Sequence, residues 1–499
     1  MQTLTELTAA TSRQLLRWLR RLVVTVVGLA LAIALGFTLY AVSLLPPLQP
    51  WHRTVLDAEF SAARHADLDF AGYQQLEERL FAELHTVVGG WEPTDALLQS
   101  RFHPAGMPQL LASGAPFNRS FRLPVERPRG AALLIHGLTD SPYSMKAMAE
   151  ALHARGMDVT VLRLPGHGTL PSMMAEMSYT DWQAAVRLAA RSVAARTPAG
   201  APFYIGGYST GATLALLHAL EAQDDASLRR PDRVLLVSPA IELTRVAALA
   251  NIIDVASVVP VPVLEKVRWQ DVSAEFDPYK FNSFPVNASR QVNRATRALR
   301  RALERARDRG RLAELAPVVA WQSVVDSTVG ASGTVDVLFA ALPGPQHRLV
   351  LFDVNRRDTF ASVQRPQARA LIERVARGPR AYTLDIVTNV DRGSSAVVVQ
   401  RLLPDGSRQE RPTALDWPRD LVSVGHVALP FPADDPVYGF RAGSGHAGIP
   451  SIGSWLLRGE NGAITIALGA LTRLRSNPFW PLIEQQLGED LEADVARRR

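Results

Sequence analysis

One pentapeptide combines the residue types and spacing of a nucleophile site. Gly207-Tyr208-Ser209-Thr210-Gly211 reads G-x-S-x-G, the one match to that pattern in the 499 residues. The run 203–206 before it has strand character, and the run 212–222 after it has helix character. At such a junction the serine sits on a sharp turn. The glycines let the helix pack close, the hydroxyl stands exposed above the sheet, and the helix N-terminus points at it. The chemistry this permits is attack on a carbonyl carbon. That chemistry requires a base to take the serine proton, an acid to orient the base, and N–H donors for the oxyanion.

Three histidines downstream of the serine's helix can supply the base: His347, His426 and His446. His347 precedes a β-rich run, which puts it at the wrong end of a parallel strand. His446 lies in the loop GSGHAG with no strand before it. His426 follows the run 421–424 and Gly425, at the strand end where open α/β sheets place catalytic groups. For the acid, Asp326 ends the run 318–325, Asp336 lies in the helix-like stretch beyond it, and Asp353 follows the run 349–352. Asp326 is the first choice and Asp353 the second, although a carboxylate just past a strand can serve only as a helix cap. The oxyanion donors are then the backbone N–H of Thr210, next to the nucleophile, and that of Leu138, in the loop after the run 131–135. His136 and His167 read as loop braces. The scattered histidines lack metal-ligand spacing, and the chain has no cysteine, so thiolate nucleophiles, disulfides and Cys-ligated zinc are excluded. No metal and no cofactor is expected.

These groups need a rigid frame. Apolar runs recur at 131–135, 159–164, 203–207, 234–237, 318–325, 349–352 and 421–424, with helical stretches at 143–155, 180–196 and 212–222 between the early ones. Runs apolar nearly throughout are those of strands buried on both faces, and their alternation with helices predicts an α/β fold with a mostly parallel sheet. Two blocks interrupt the alternation. Residues 241–315 hold an apolar segment (246–267) and an arginine-rich helix (291–315), read as a helical cap. Residues 354–418 form an insertion with a helix near 360–377 and a hairpin from 382–390 and 396–403, turned at Asp391-Arg392-Gly393.

Ahead of this domain, at 116–499, lie three further parts. Residues 1–21 are a basic segment in which Arg13, Arg17, Arg20 and Arg21 face only Glu6. Residues 22–45 carry no charge over 24 positions, enough to cross a bilayer. Residues 46–115 are a connector with helical spacing at 55–64 and 73–88. The arginine bias before the apolar stretch places the N-terminus in the cytoplasm and the catalytic domain outside it, in the periplasm if the cell is Gram-negative. A cleaved signal peptide ending at Ala41-Val42-Ser43 is the competing reading, but the apolar run exceeds the usual secretory core.

Overall charge is +6, with 54 basic and 48 acidic residues, only three of them lysine (146, 266, 280). Much of the excess lies in 286–311, where nine arginines face Glu304 and Asp308. No nucleic-acid motif accompanies that run and no aromatic residue is interleaved in it, so no nucleic-acid partner is expected.

The segments LLIHGLTDSPYSM (133–145), LRLPGHG (162–168), GGYSTGA (206–212), WQSVVDSTV (321–329) and GHVALPFPADDPVYG (425–439) resemble the α/β-hydrolase superfamily. Within it they are most similar to the monoacylglycerol lipase, carboxylesterase and serine-aminopeptidase-like group. The start PLQPWH (47–52) is similar to that of membrane-anchored bacterial hydrolases. The resemblance implies Ser209, Asp326 and His426 as a triad, with Leu138 and Thr210 as oxyanion donors. It implies an ester or lipid-derived small-molecule substrate. Two departures stand out: Asp326 and His426 are 100 residues apart, which the insertion 354–418 accounts for, and Thr328-Val329 replaces a turn common in relatives. The same triad also fits a peptidase or amidase. An aminopeptidase needs paired acids, and Glu265, Asp271, Glu275 and Asp277 are available. A non-catalytic binding protein on the same fold is a third reading.

Overall fold

Strand alternation forms the frame that holds the site. The computed structural model describes residues 18–30, 32–33, 36–37, 40, 43–112, 115–242, 265–360, 364, 367–441, 443, 445–446, 449–454 and 473–498. The strands β1 (Phe121–Leu123), β2 (Gly130–Ile135), β3 (Met157–Leu162), β4 (Phe203–Tyr208) and β5 (Arg233–Val237) come first. A small ribbon, β6 (Trp269–Asp271) with β7 (Phe284–Pro285), follows. Then come β8 (Val318–Ser323), β9 (Arg348–Phe352), β10 (Thr383–Asn389), β11 (Ala396–Leu402) and β12 (Arg408–Asp416). Apart from the ribbon they form one ten-stranded sheet in the order β1-β3-β2-β4-β5-β8-β9-β10-β11-β12. Pairing is parallel from β3 through β10, with β1 and the β11–β12 pair antiparallel at the edges.

Because the side-chain period in a strand is two, each strand feeds both faces. Leu133, Ile135, Ile205, Val234 and Leu236 enter one core. It is covered by α1 (Phe70–Gly89), α3 (Tyr179–Arg196), α4 (Thr210–Asp224) and α5 (Val286–Asp308). Ala132, Leu134, Tyr204, Leu235 and Trp321 enter the other. It is covered by α2 (Lys146–His153) and α7 (Trp480–Ala496). Helix α6 (Gln367–Arg377) belongs to the insertion. Parallel strands joined by helices on both faces, with a sharp β4–α4 turn, constitute the α/β-hydrolase fold.

Four features depart from the sequence expectations. The hairpin at 382–403 forms, but β10 pairs parallel with β9, so the insertion extends the main sheet and adds β12 as its edge. The run 421–424 is not a strand; it contributes one isolated bridge, Ser423 to Val354, because apolar residues there are buried from a loop. Residues 55–64 are not helical: the N–H groups of Asp57 and Ala58 bond to the Glu83 carboxylate and that of Ala62 to Asp181, in place of helix carbonyls. The arginine-rich helix begins at Val286 and lays Ala288, Val292, Leu299, Ala302 and Leu303 into the core beside α4, with its arginines outward.

The connector is built into the domain. Arg163, completely buried, donates to Glu59 and to Glu77, both from the connector, and the Tyr73 hydroxyl donates to the Arg163 carbonyl. Of the 22–45 segment, residues 22–30 are helical with exposed side chains and part of the remainder lies outside the described residues. Among the described residues no helix is long and apolar enough to cross a membrane. The apolar run 246–267 also lies mostly outside them.

Candidate active site

Ser209 joins β4 to α4 with φ 53° and ψ −114°, a positive-φ backbone that a non-glycine residue adopts only when its surroundings enforce it. Two glycines permit the turn. A Cβ on Gly207 would lie 2.3 Å from the Gly211 carbonyl carbon, and one on Gly211 would lie 2.1 Å from the Ile135 carbonyl oxygen. The start of α4 therefore packs directly on the end of β2. Hydrogen bonds fasten the turn: the Ser209 N–H donates to Val237 (2.9 Å), and the Thr213 hydroxyl donates to the Ala240 carbonyl (2.7 Å).

That close packing brings the two expected oxyanion donors to one edge of the sheet. Leu138 follows β2 by three residues, and Thr210 is the first residue of α4. Among the described residues, neither N–H is engaged in a hydrogen bond. Nearby, His136 Nδ1 lies 2.8 Å from the Gly137 carbonyl and Nε2 accepts from the Leu164 N–H. Burial holds His136 well below its usual range and pushes His167 down to about 4, so both are neutral braces.

His426 opens a short 3-10 turn, His426–Ala428, rather than following a sheet strand. Its Nδ1 lies 2.9 Å from Asp326 Oδ2, across 100 residues of chain. The other neighbours of that carboxylate fix its orientation. Oδ1 accepts from the N–H groups of Thr328 (2.8 Å) and Val329 (3.1 Å), and Oδ2 also accepts from the Gln322 amide (2.8 Å). Burial pushes Asp326 up, but the adjacent His426 and the two backbone donors outweigh it and hold the carboxyl below its ordinary range. The Tyr208 ring lies 5.1 Å from the His426 ring, and its hydroxyl donates to the His426 carbonyl (3.3 Å). The residue before the serine thus packs on the histidine.

The alternative bases and acids stand elsewhere. His347, buried at the start of β9, accepts the Val318 N–H and is pushed down to about 4 by burial. The backbone of His446 lies in a two-residue ribbon with Ile449–Pro450. Asp353 accepts from its neighbour's N–H, from Arg356 and from the Thr388 hydroxyl, a structural role at the end of β9. Asp336 pairs with Arg374 (2.7 Å) at the surface.

Sequence reasoning missed three polar neighbours. Gln322 sits within WQSVVDSTV, four residues before Asp326. Asp140 sits within LLIHGLTDSPYSM, and Lys280 pairs with it at 3.6 Å. The one available signal was their position: Asp140 two residues past the oxyanion candidate, Lys280 as one of three lysines.

Comparison with known proteins finds similarity over part of the chain. The pattern of the family described as serine aminopeptidase, S33, matches residues 126–354, from before β2 to just past β9 and less than half of the chain. A thermostable monoacylglycerol lipase from Bacillus sp. is 31% identical over 116 residues, which is 23% of this chain and 43% of that lipase. The matched segment thus spans less than half the length of that relative. Among solved structures, a protein from a study of two metagenome-derived lipolytic enzymes, LipS and LipT, is 22% identical with a TM-score of 0.38, covering 48% of this chain and 89% of that one. The monoacylglycerol lipase of Paleococcus ferrophilus is 18% identical with a TM-score of 0.34, covering 52% of this chain and 98% of its own.

Proposed function

We propose that the chain is a serine hydrolase of carboxylic esters, working through an acyl-enzyme on Ser209. The observation that carries this reading is the pairing of a positive-φ Ser209 on the β4–α4 turn with a His426–Asp326 pair at 2.9 Å. Tyr208, the residue before Ser209, packs its ring on His426. In this reading Asp326 keeps the proton on His426 Nδ1, leaving Nε2 free to take the Ser209 proton during attack. The N–H groups of Leu138 and Thr210 stabilise the oxyanion. His426 then protonates the leaving alcohol, and water cleaves the acyl-enzyme with the same base.

An ester is favoured over a peptide by the state of the acids that an aminopeptidase would need. Glu265 pairs with Arg53 (2.9 Å), and Asp271 accepts from Ser273. Glu275 accepts from the N–H groups of Asn282 and Ser283, and Asp277 accepts from Tyr279, Lys280 and the Tyr438 hydroxyl. Each is already engaged, and no two of these four form a vacant pair for a substrate ammonium.

Residues 22–45 anchor the chain in a membrane in this reading, with the N-terminus cytoplasmic and the catalytic domain on the other side. The junction is short. Leu45 and Leu48 pack with Trp269 and Val272, and Lys266 Nζ donates to the Leu45 carbonyl (2.7 Å), so the domain begins where the apolar segment ends. A lipid-derived acyl ester suits an enzyme held at that distance from a bilayer.

The test is fluorophosphonate labelling of the full chain in detergent beside Ser209→Ala, followed by p-nitrophenyl esters of increasing chain length and the matching anilides. Labelling that disappears in the variant, with ester turnover far above anilide turnover, is the expected result. An unlabelled, folded wild-type chain refutes the nucleophile, and anilide turnover equal to ester turnover refutes the ester preference.

A further inference from the structure

The loop after β2 carries a second carboxylate that the triad does not use. Asp140 is only 5% exposed. Its Oδ2 rests against Gly137, where a Cβ would meet it at 2.7 Å and the Tyr208 ring at 2.9 Å. Gly137 immediately precedes Leu138, and Tyr208 packs on His426. Asp140, the oxyanion loop, Tyr208 and the catalytic imidazole therefore form one packed group.

A buried anion in this position opposes catalysis. It repels the negative charge that develops on the substrate oxygen, and in a poorly hydrated site such repulsion is weakly screened. Lys280 answers it: Nζ lies 3.6 Å from Asp140 Oδ1, the one cation paired with that carboxylate among the described residues. The pair is held by backbone as well. The Phe281 N–H donates to the Thr139 carbonyl (2.8 Å), and Thr139 itself has φ 65°. On the other side, Asp277 accepts the Lys280 and Tyr279 N–H groups (3.0 Å each) and the Tyr438 hydroxyl (2.6 Å).

We propose that Lys280 is a positioning residue that neutralises Asp140, so that the field at the oxyanion loop and at His426 is set by Asp326 and the two N–H donors. The proposal rests on the reading of Ser209 as nucleophile. The charged and titratable groups in play are Asp326, Asp140 and Tyr208 around His426, and Lys280, His426, Asp277, Tyr208 and Tyr438 around Asp140, with Arg473 acting on Tyr208. Burial pushes Asp140 up while Lys280 and then His426 draw it down, which fits a carboxylate dependent on its cation.

The experiment measures the second-order rate of fluorophosphonate labelling against pH in the full chain. Lys280→Met is expected to label roughly tenfold more slowly at neutral pH, the deficit growing as rising pH ionises the unpaired Asp140. Lys280→Arg keeps the charge and stays near the wild-type rate. Asp140→Asn labels at least as fast as wild type, because the anion that Lys280 must neutralise is gone. Combining Asp140→Asn with Lys280→Met restores most of the rate. Wild-type labelling by Lys280→Met, a slowed Asp140→Asn, or a double variant as slow as Lys280→Met overturns the proposal. If the wild-type chain takes up no probe at all, the nucleophile reading falls and the proposal falls with it. If wild type labels but these variants do not separate, only the proposal falls.

Discussion

Asp326→Asn is the perturbation whose outcome follows most directly from the hydrogen bonds around the site. Asp326 Oδ1 accepts two backbone N–H groups, those of Thr328 and Val329, whereas Oδ2 faces His426 Nδ1 and the Gln322 amide. An asparagine has one acceptor oxygen and one NH2 donor. The two fixed backbone donors claim the oxygen, so the NH2 turns toward His426 and toward Gln322, whose amide turns over to accept it with its oxygen while its own NH2 donates to the Thr334 hydroxyl. Nδ1 must then accept, the ring proton moves to Nε2, and the imidazole can no longer take the Ser209 proton. The reverse orientation restores the correct tautomer but sets the NH2 against two N–H donors. Leaving two buried donors unsatisfied costs about 1–3 kcal/mol each. A total of about 2–6 kcal/mol corresponds to a loss between about 30-fold and about 20,000-fold. Fluorophosphonate labelling rate and ester kcat/KM should both drop within that range while the far-ultraviolet circular dichroism stays unchanged. Asp353→Asn is the control, since its carboxylate bonds to Val354, Arg356 and Thr388 and not to His426, and it should label within a few-fold of wild type. An Asp326→Asn chain within threefold of wild type, or a greater loss in Asp353→Asn, refutes the tautomer argument and reassigns the acid.

Three further outcomes follow from the packing. Gly211→Ala forces a Cβ to 2.1 Å from the Ile135 carbonyl oxygen and 2.4 Å from that of His136, both backbone atoms, so the turn must open; a loss of about 3 kcal/mol or more in urea unfolding and loss of labelling are expected, and wild-type values would contradict the close approach. Arg163→Met leaves Glu59 and Glu77 buried without their cation, which should cost about 3–5 kcal/mol and leave the chain less stable still as pH rises, because burial already pushes Glu77 up beside an intact Arg163; an unchanged melting temperature would mean that the cluster is hydrated in solution. Burial pushes His52, His167, His218 and His347 each down from 6.5 to about 4, so their neutral forms stabilise the fold fully above pH 6.5, and that stability is lost as pH falls toward about 4. His218, whose two ring nitrogens have no hydrogen-bond partner among the described residues, is the cleanest of these: His218→Leu should flatten the slope of unfolding free energy between pH 7 and pH 5 by about 0.9 kcal/mol per pH unit, and an unchanged slope would show that its protonation is the same in the folded and unfolded chain.

The parts of this molecule that the sequence announces are those whose backbone demands are local. Gly207 and Gly211 are required within five residues of each other, and the strand before them and helix after them carry their own periodicities. Asp326 could be placed because it lies just past an apolar run that is a true strand. His426 is singled out in the sequence through a strand that does not form, and it lies instead on a short 3-10 turn whose imidazole meets Asp326. The run 421–424 is apolar because Val424 is buried against Trp417 and Ala428, and because Trp417 Nε1 donates to the Leu421 carbonyl, not because it pairs with a sheet. Apolarity reports burial, and burial from a loop cannot be distinguished from burial in a strand over four residues. The same ambiguity misassigned 55–64, where Leu56 and Phe60 are buried in two different clusters while side chains of Glu83 and Asp181 take the place of helix carbonyls.

The features with no local signal are pairs of opposite charge brought together from distant segments. Glu59 and Arg163 meet across 104 residues, and Asp140 and Lys280 across a comparable gap. In sequence each is one charge among many, indistinguishable from a solvated surface residue. What separates them is that each carboxylate lies in a site closed to water and takes its cation from another element, so its charged state depends on the completed fold. In the first pair this dependence ties the connector to the loop after β3: a chain beginning at residue 116 would retain every motif that carries the chemistry and still bury Arg163 without Glu59 or Glu77. In the second pair, on the proposed reading, the dependence reaches the chemistry itself, because the cation paired with Asp140 stands on a segment between β6 and β7, outside every motif by which the site is found. In the proposed reading, activity therefore depends on residues 46–115 and 272–283 as much as on the elements that hold Ser209, Asp326 and His426.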